Sequence, residues 1–387
     1  MSTTHFDIII IGAGIVGATF AVSMRDSGLR IAMIEAHHPP AIPNEEWDTR
    51  IYAISPGSQE ILNTIGIWQQ LDANRIQPVY AMDIRGDSSA QLQFTAYQAG
   101  VPQLAAIMES GRLQYTLWQA MQRQQNITLF NTDCTDLGWS PQGGHLTLSD
   151  GNTLTANLIV GADGGQSWVR EQAGISSRRS DYGQSGVVAN FVVERDHQGT
   201  ARQWFNQSGA LAWLPLPNQH ISMVWSTDTE HAAELMATTP SQLAMEVAQA
   251  GGHTLGALHQ VGRTAAFPLS INRVDHLVQT GLALIGDAAH GIHPLAGQGV
   301  NLGLRDAREL AKTLKQRGHA NCGDTFLLQR YQRARQTDIV AMQAVTDGLH
   351  HLFRNTHPVL AKLRNTGMNL TNQISPFKSW LMGQALK

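Results

Sequence analysis

Five glycines, two histidines and one proline crowd the eighteen residues from Gly286 to Gly303, GDAAHGIHPLAGQGVNLG. His290 and His293 stand three residues apart, a spacing that could serve a metal, but no carboxylate or third histidine is placed to complete a ligand set. No metal site is therefore expected, and no Ser-His-Asp arrangement has the spacing for nucleophilic catalysis. The glycines suggest a different use: a loop along which backbone passes close to a ligand. In front of them the apolar run Gly281–Ile285 reads as a strand, and behind them residues 300–318 read as a helix. The stretch is a strand-to-helix crossing, and His290 is expected to brace it.

Two more crossings of this kind lie upstream. In FDIIIIGAGIVGATFAVSMRDSGLRIAMIE, Ile8–Ile11 form the continuous apolar run of a strand buried on both faces. Gly12, Gly14 and Gly17 follow in G-x-G-x-x-G spacing. The first glycine permits a tight turn, the second lets backbone approach a pyrophosphate, and the third lets the helix pack on the strand. That helix is expected to run to Gly28. The next strand ends at Glu35, where a carboxylate suits a ribose hydroxyl and repels a ribose phosphate. These features specify a dinucleotide and leave NAD and FAD both open. The other crossing enters Asp163 and Gly164 from the strand Leu158–Val160, with Ser167 and Arg170 in the helix beyond. A simple NAD-dependent dehydrogenase has no need of the two later crossings.

The elements that position these loops belong to a folded chain of 387 residues, 42% hydrophobic and 15% charged, a length that suits two domains. A net charge of -3 gives no reason to expect a nucleic-acid partner. Two isolated cysteines, Cys134 and Cys322, argue against disulfides and point to a reducing, cytoplasmic setting. The opening apolar run is too short for a signal or membrane span, and no window reaches the roughly 20 apolar residues of a spanning helix. Short β-rich runs fill residues 181–274, separated by turns such as LPNQH, and residues 76–104 read as further strands of the same sheet. Trp213, Leu214 and Leu216 could line an apolar substrate pocket there, or be ordinary sheet core. After Asp347 the chain carries five basic residues and no acidic one, with Leu, Phe, Met and Trp between them. That tail suits either an anionic membrane surface or a helical pair with a solvated basic face.

The three crossings, in this order and spacing, resemble the FAD-dependent aromatic hydroxylases of the para-hydroxybenzoate hydroxylase type. HPLAGQGVNLGLRD, RIYAISPGSQEILNTIGIW and the closing LRNTGMNL resemble, more narrowly, the subgroup that hydroxylates polyprenylated ring precursors in ubiquinone biosynthesis. The resemblance implies an α/β fold: a Rossmann-like FAD-binding domain (1–75, 105–180 and 275–345), an inserted, mainly antiparallel substrate domain (76–104 and 181–274) and a C-terminal helical, basic amphipathic segment (346–387).

It also implies FAD as cofactor. Gly12, Gly14, Gly17 and Glu35 would hold its ADP half, Arg50 and Gln114 its phosphates and ribityl chain, and Gly286 and Asp287 the ribityl hydroxyls. Gly297, Gln298, Gly299, Val300 and Asn301 would pass their backbone beside the flavin ring, with the following helix aimed at its N1–C2 side. Asp163 and Gly164 are associated with both FAD and the reducing pyridine nucleotide. Ser110 departs from the family, which usually has an amide there. His293 and Pro294 would position the ring of a polyprenyl phenol or quinol substrate.

The implied chemistry is hydroxylation through a C4a-hydroperoxyflavin, with O2 and NAD(P)H or another electron donor as co-substrates, so the cofactor carries the hard step. The basic tail would allow peripheral contact with the inner face of the membrane, and the resemblance implies a place in a ubiquinone-biosynthesis complex. A flavin monooxygenase acting on a soluble aromatic metabolite remains open, as does a non-catalytic flavin-binding lipid carrier or assembly subunit.

Overall fold

A computed structural model of the chain describes residues 3–37, 41–86, 90–140, 143–206, 209–292 and 297–354. The apolar run that opens the chain becomes the strand Thr3–Ile11, whose Ile8, Ile9 and Ile10 are wholly inaccessible to water. It lies at the centre of a sheet, paired in parallel with Thr153–Gly161 on one side and Ile31–Ile34 on the other. Ile127–Phe130 and Leu282–Leu284 extend the parallel set outward, and Val278–Gln279 closes one edge antiparallel. A hairpin, Cys134–Ser140 with Gly143–Leu148, is appended to Thr153–Gly161.

Burial on both faces explains the near-continuous Ile, Leu and Val of these strands. The covering helices include Ile15–Ser23, Ser110–Gln122 and Gly299–Lys315. The first of them stops at Ser23, short of the expected Gly28. Gly28 instead sits in the turn before the next strand, at φ +71.

A second sheet of eight strands is mainly antiparallel. Its order is His290–Gly291, Leu258–Val274, Ser177–Val193, His220–Asp228, Gly209–Leu216, Thr200–Asn206, Ala81–Arg85 and Gln91–Thr95. The turn inside LPNQH places Asn218 and Gln219 at φ +59 and +58, the left-handed pair that a tight hairpin between twisted strands requires. Of the region 76–104, Ala81–Arg85 and Gln91–Thr95 join this sheet, while Gln77–Val79 pairs elsewhere. It forms a small three-stranded sheet with Ala105–Glu109 and Ile51–Ile54.

The helix Thr325–Arg354 ties the two large sheets together. Tyr331 donates its hydroxyl to Leu284 O in the parallel sheet at 2.9 Å. Further along, Asp347 accepts from Tyr182 at 3.1 Å and Arg273 at 2.9 Å in the antiparallel one. Among the described residues, no helix is long and apolar enough to cross a membrane. Most of the basic C-terminal segment, residues 355–387, lies outside the described residues.

Candidate functional site

The glycines of the first crossing divide into two kinds. At Gly12, φ is +102 and a Cβ would lie 2.4 Å from Ala162 O; at Gly17 a Cβ would lie 2.0 Å from Gly12 O. Both are demanded by the fold itself. Gly14 is demanded by neither conformation nor packing, because its φ is -62 and no atom lies within 4 Å of where its Cβ would stand. A glycine that the protein does not need for itself marks where something else approaches the backbone. The helix starting at Ile15 has no side-chain cap, so its first N–H groups remain available to an anion. Glu35 directly follows the strand Ile31–Ile34 beside them, accepting from Ala13 N at 2.7 Å and His37 N at 3.0 Å.

At the second crossing, Ser167 caps the following helix, and Asp163 accepts Val169 N from its first turn at 3.0 Å through Oδ2. Its Oδ1 is buried without a partner. Gly164, at φ +86, and Gly165 both border open space. Arg170 links this loop to the third crossing, donating to Gly165 O at 3.1 Å and Ala288 O at 2.9 Å. Burial draws the pKa of its guanidinium down while Asp163 and Glu171 oppose the shift.

The Gly286–Gly303 stretch is more diverse than its composition suggests. Gly286, at φ +62, and Gly303 adjoin each other and both pack against Val16. Gly291 is crowded by Asn272 N, 2.9 Å from the position of a Cβ. These three therefore serve packing. Gly297 takes φ +60, whereas Gly299, at the start of its helix, faces open space. That helix too begins without a side-chain cap, at Gln298. Val300 is buried in the core. Asn301 commits its side chain inward, accepting from Ser55 N at 3.0 Å and donating to Ala53 O at 2.9 Å. His293 and Pro294 lie outside the described residues.

Near these crossings, Asp287 is exposed, between buried Gly286 and Ala288. Arg50 is exposed, with its guanidinium 5.6 Å from the Tyr52 ring, and Gln114 is half-buried. Sequence reasoning missed Tyr52. Its hydroxyl meets Ser110; burial raises its pKa, Arg50 opposes that, and Asp287 adds to it. Glu109 fixes the neighbouring loop by accepting from Arg75 at 2.8 and 2.9 Å, from Arg112 at 2.8 Å and from Asp48 N at 3.0 Å.

Also missed was Asp306, fully buried under the third crossing. It accepts from His290 Nε2 at 2.5 Å, Gly286 N at 3.0 Å and Arg335 Nε at 2.7 Å. Burial alone would raise its pKa, but His290 and Arg335 outweigh that and hold the carboxyl below its ordinary value. The DARELA run offered no sign of this, since its partners come from distant segments. Among the described residues, no cluster of three or more His, Cys, Asp or Glu could hold a metal ion.

Of the two readings for Trp213, Leu214 and Leu216, pocket lining or sheet core, burial puts Trp213 and Leu216 in the core. Trp213 is 1% exposed and lies in a core with Leu235, Leu243 and Val247, where the helices Thr229–Ala237 and Pro240–Ala250 cover the sheet. Strand alternation puts Leu214 and Leu216 on the other face. Leu216 is fully buried there with Val79, Ile107 and Ala201. Only Leu214 is half-buried, next to the cluster that includes Ile51 and Ala53.

Open backbone at Gly14, an orphaned carboxylate oxygen at Asp163 and uncapped helix starts at Ile15 and Gly299 fit a long dianionic dinucleotide. Fold and site together define a dinucleotide-binding protein. The chain belongs to the FAD binding domain family, whose model matches residues 5–347. It is 35% identical to the ubiquinone hydroxylase UbiL of Rhodospirillum rubrum, over 98% of this chain and 89% of that protein. It is 33% identical to the 3-demethoxyubiquinol 3-hydroxylase of Escherichia coli strain K12, over 100% of both. In fold it is similar to the p-nitrophenol 4-monooxygenase PnpA of Pseudomonas putida DLL-E4, with TM-score 0.81 and 14% identity over 100% of this chain and 99% of that one.

Proposed function

We propose that this chain is an FAD-dependent monooxygenase that hydroxylates the aromatic ring of a polyprenylated phenol or benzoquinol on the route to ubiquinone. The observation that carries the reading is the end-to-end similarity to a 3-demethoxyubiquinol 3-hydroxylase, joined to a site whose open positions suit FAD. FAD, when bound, supplies the redox chemistry that activates O2.

The protein's part is to bind, orient and exclude water. The turn Gly12–Gly17 and the helix start at Ile15 would seat the pyrophosphate, with Glu35 on the ribose. Arg50 and Gln114 would border the middle of the cofactor, Asp163 and Gly164 would meet it through the open oxygen and bare backbone, and Asp287 would bond the ribityl hydroxyls. Backbone from Gly297 to Asn301 would lie along the ring, and the uncapped helix start at Gly299 would favour negative charge there. His293 and Pro294 are assigned to the substrate ring, and Leu214 to its apolar surroundings. A pyridine nucleotide or another electron donor would reduce the flavin. The division into an FAD-binding part (1–75, 105–180 and 275–345), an inserted substrate part (76–104 and 181–274) and a C-terminal segment from 346 belongs to the same reading, as does peripheral contact of that segment with a membrane or a biosynthetic complex.

The deciding experiment is a mass-spectrometric profile of quinones from cells lacking this gene. Accumulation of a prenylated intermediate short of one hydroxyl supports the reading and identifies the ring carbon. An unchanged profile, with FAD still bound to the purified protein, moves the substrate to soluble aromatics.

A further inference from the structure

A buried carboxylate under a glycine-rich turn is an unusual choice, because removing its charge from water is costly and ion pairs in the interior seldom stabilise a fold overall. Asp306 is 0% exposed, yet it receives donors from separate parts of the chain. Its Oδ2 takes both Gly286 N and His290 Nε2, the two ends of one arc, and its Oδ1 takes Arg335 from the helix Thr325–Arg354. Within that arc Ala288 and Ala289 are buried, and Asp287 alone is exposed.

The same helix grips the arc's flanks. Tyr331 reaches Leu284 O just before it at 2.9 Å, and Gln343 donates to Gly291 O just after it at 3.1 Å. Tyr331, Arg335 and Gln343 stand four and eight residues apart, so they share one face of the helix. Asp338 supports Arg335 from the other side at 2.7 Å. These contacts, with that of Arg170 on Ala288 O, hold the arc, while its one carboxylate, that of Asp287, stays exposed.

We propose that Asp306, with His290 and Arg335, is the positioning cluster of the cofactor site: it fixes the Gly286–Gly291 arc so that Asp287 is presented to the bound cofactor. The inference rests on the FAD reading above. Holding the arc from inside removes the need for the ligand to order it, so the cluster sets how long the cofactor stays bound. None of its three side chains touches the cofactor; each acts through the arc.

The test measures FAD release from purified holoenzyme, followed as the rise of flavin fluorescence after dilution, together with Tm on the same preparations. His290→Leu removes the donor to Asp306 at similar volume, whereas His290→Gln retains an N–H. Release about tenfold faster in His290→Leu and Asp306→Asn is expected, the scale of a lost hydrogen bond to a charged group, with His290→Gln close to the wild type. Release within about twofold of wild type in His290→Leu, whatever its Tm, would overturn the proposal, as would equal acceleration in His290→Leu and His290→Gln. Should Asp306→Asn fail to fold, the two His290 variants decide. Wild-type protein that retains no FAD would sink the functional reading itself, a result separable from variants that merely behave like a flavin-loaded wild type.

Discussion

Val16 is packed against Gly303: a Cβ on that glycine would stand 2.5 Å from Val16 Cγ2, and the same valine lies 3.2 Å from the Cβ position of the adjoining Gly286. One valine of the first helix therefore fills the seam where the first and third crossings meet. Gly303→Ala should destabilise the protein by about 1–3 kcal/mol through overpacking. Adding Val16→Ala should recover part of that loss. Denaturant melts of the two single variants and the double variant check the coupling, and additive effects would refute the contact.

Gly14→Val should separate folding from cofactor binding. Its backbone is ordinary and its Cβ position is open, so stability without cofactor should change by only about 0.5 kcal/mol, as for surface substitutions. Bound flavin should be lost. Gly17→Val, by contrast, should prevent folding, because its Cβ would meet Gly12 O at 2.0 Å. Absorbance of the purified proteins near the flavin bands, with circular dichroism, distinguishes the two results. A yellow, fully loaded Gly14→Val protein would remove the pyrophosphate from this turn.

Acid should expose the Asp306 cluster. Its folded pKa lies below the ordinary 3.8, despite burial, because His290 and Arg335 favour the charged form. A depressed carboxylate contributes stability that is fully present above the unfolded pKa and disappears as pH falls through the lower folded value. Wild-type stability should thus decline below about pH 4, and the decline should be shallower in Asp306→Asn, although that variant is less stable at pH 7. Urea melts from pH 7 to pH 3 measure both slopes; parallel curves would show that Asp306 carries no such linkage.

The two faces of the strand Gly209–Leu216 should respond differently. Trp213→Ala should cost about 3–5 kcal/mol of stability, with turnover of the surviving folded protein intact, because the ring fills the core beneath the helices Thr229–Ala237 and Pro240–Ala250. Leu214→Gln should instead raise KM for an apolar aromatic substrate while leaving FAD bound. A Trp213 variant that keeps its stability but loses substrate affinity would reverse the assignment of faces.

Much of this molecule follows from short-range pattern. The run Ile8–Ile11, the spacing of Gly12, Gly14 and Gly17, Glu35 at a strand end, Asn218 and Gln219 in a hairpin turn, and the period-two strands beyond residue 181 are all local, and the structure contains the corresponding strands and turns. Adjacent residues decide whether a segment can be a buried strand, a tight turn or a helix start, so their order alone determines three strand–glycine–helix crossings and a mainly antiparallel second sheet. What adjacent residues do not decide is which atoms approach from elsewhere. Gly14 and Gly303 look alike in sequence, but only the packed fold leaves one open and sets Val16 against the other. Trp213 and Leu214 are neighbours, and only the placement of two helices sends the first into a core. Asp306 draws its side-chain partners from 16 and 29 residues away in the chain, and its burial exists only once those segments meet. Contact, desolvation and charge pairing are properties of assembled surfaces, and for that reason the tertiary structure settled them.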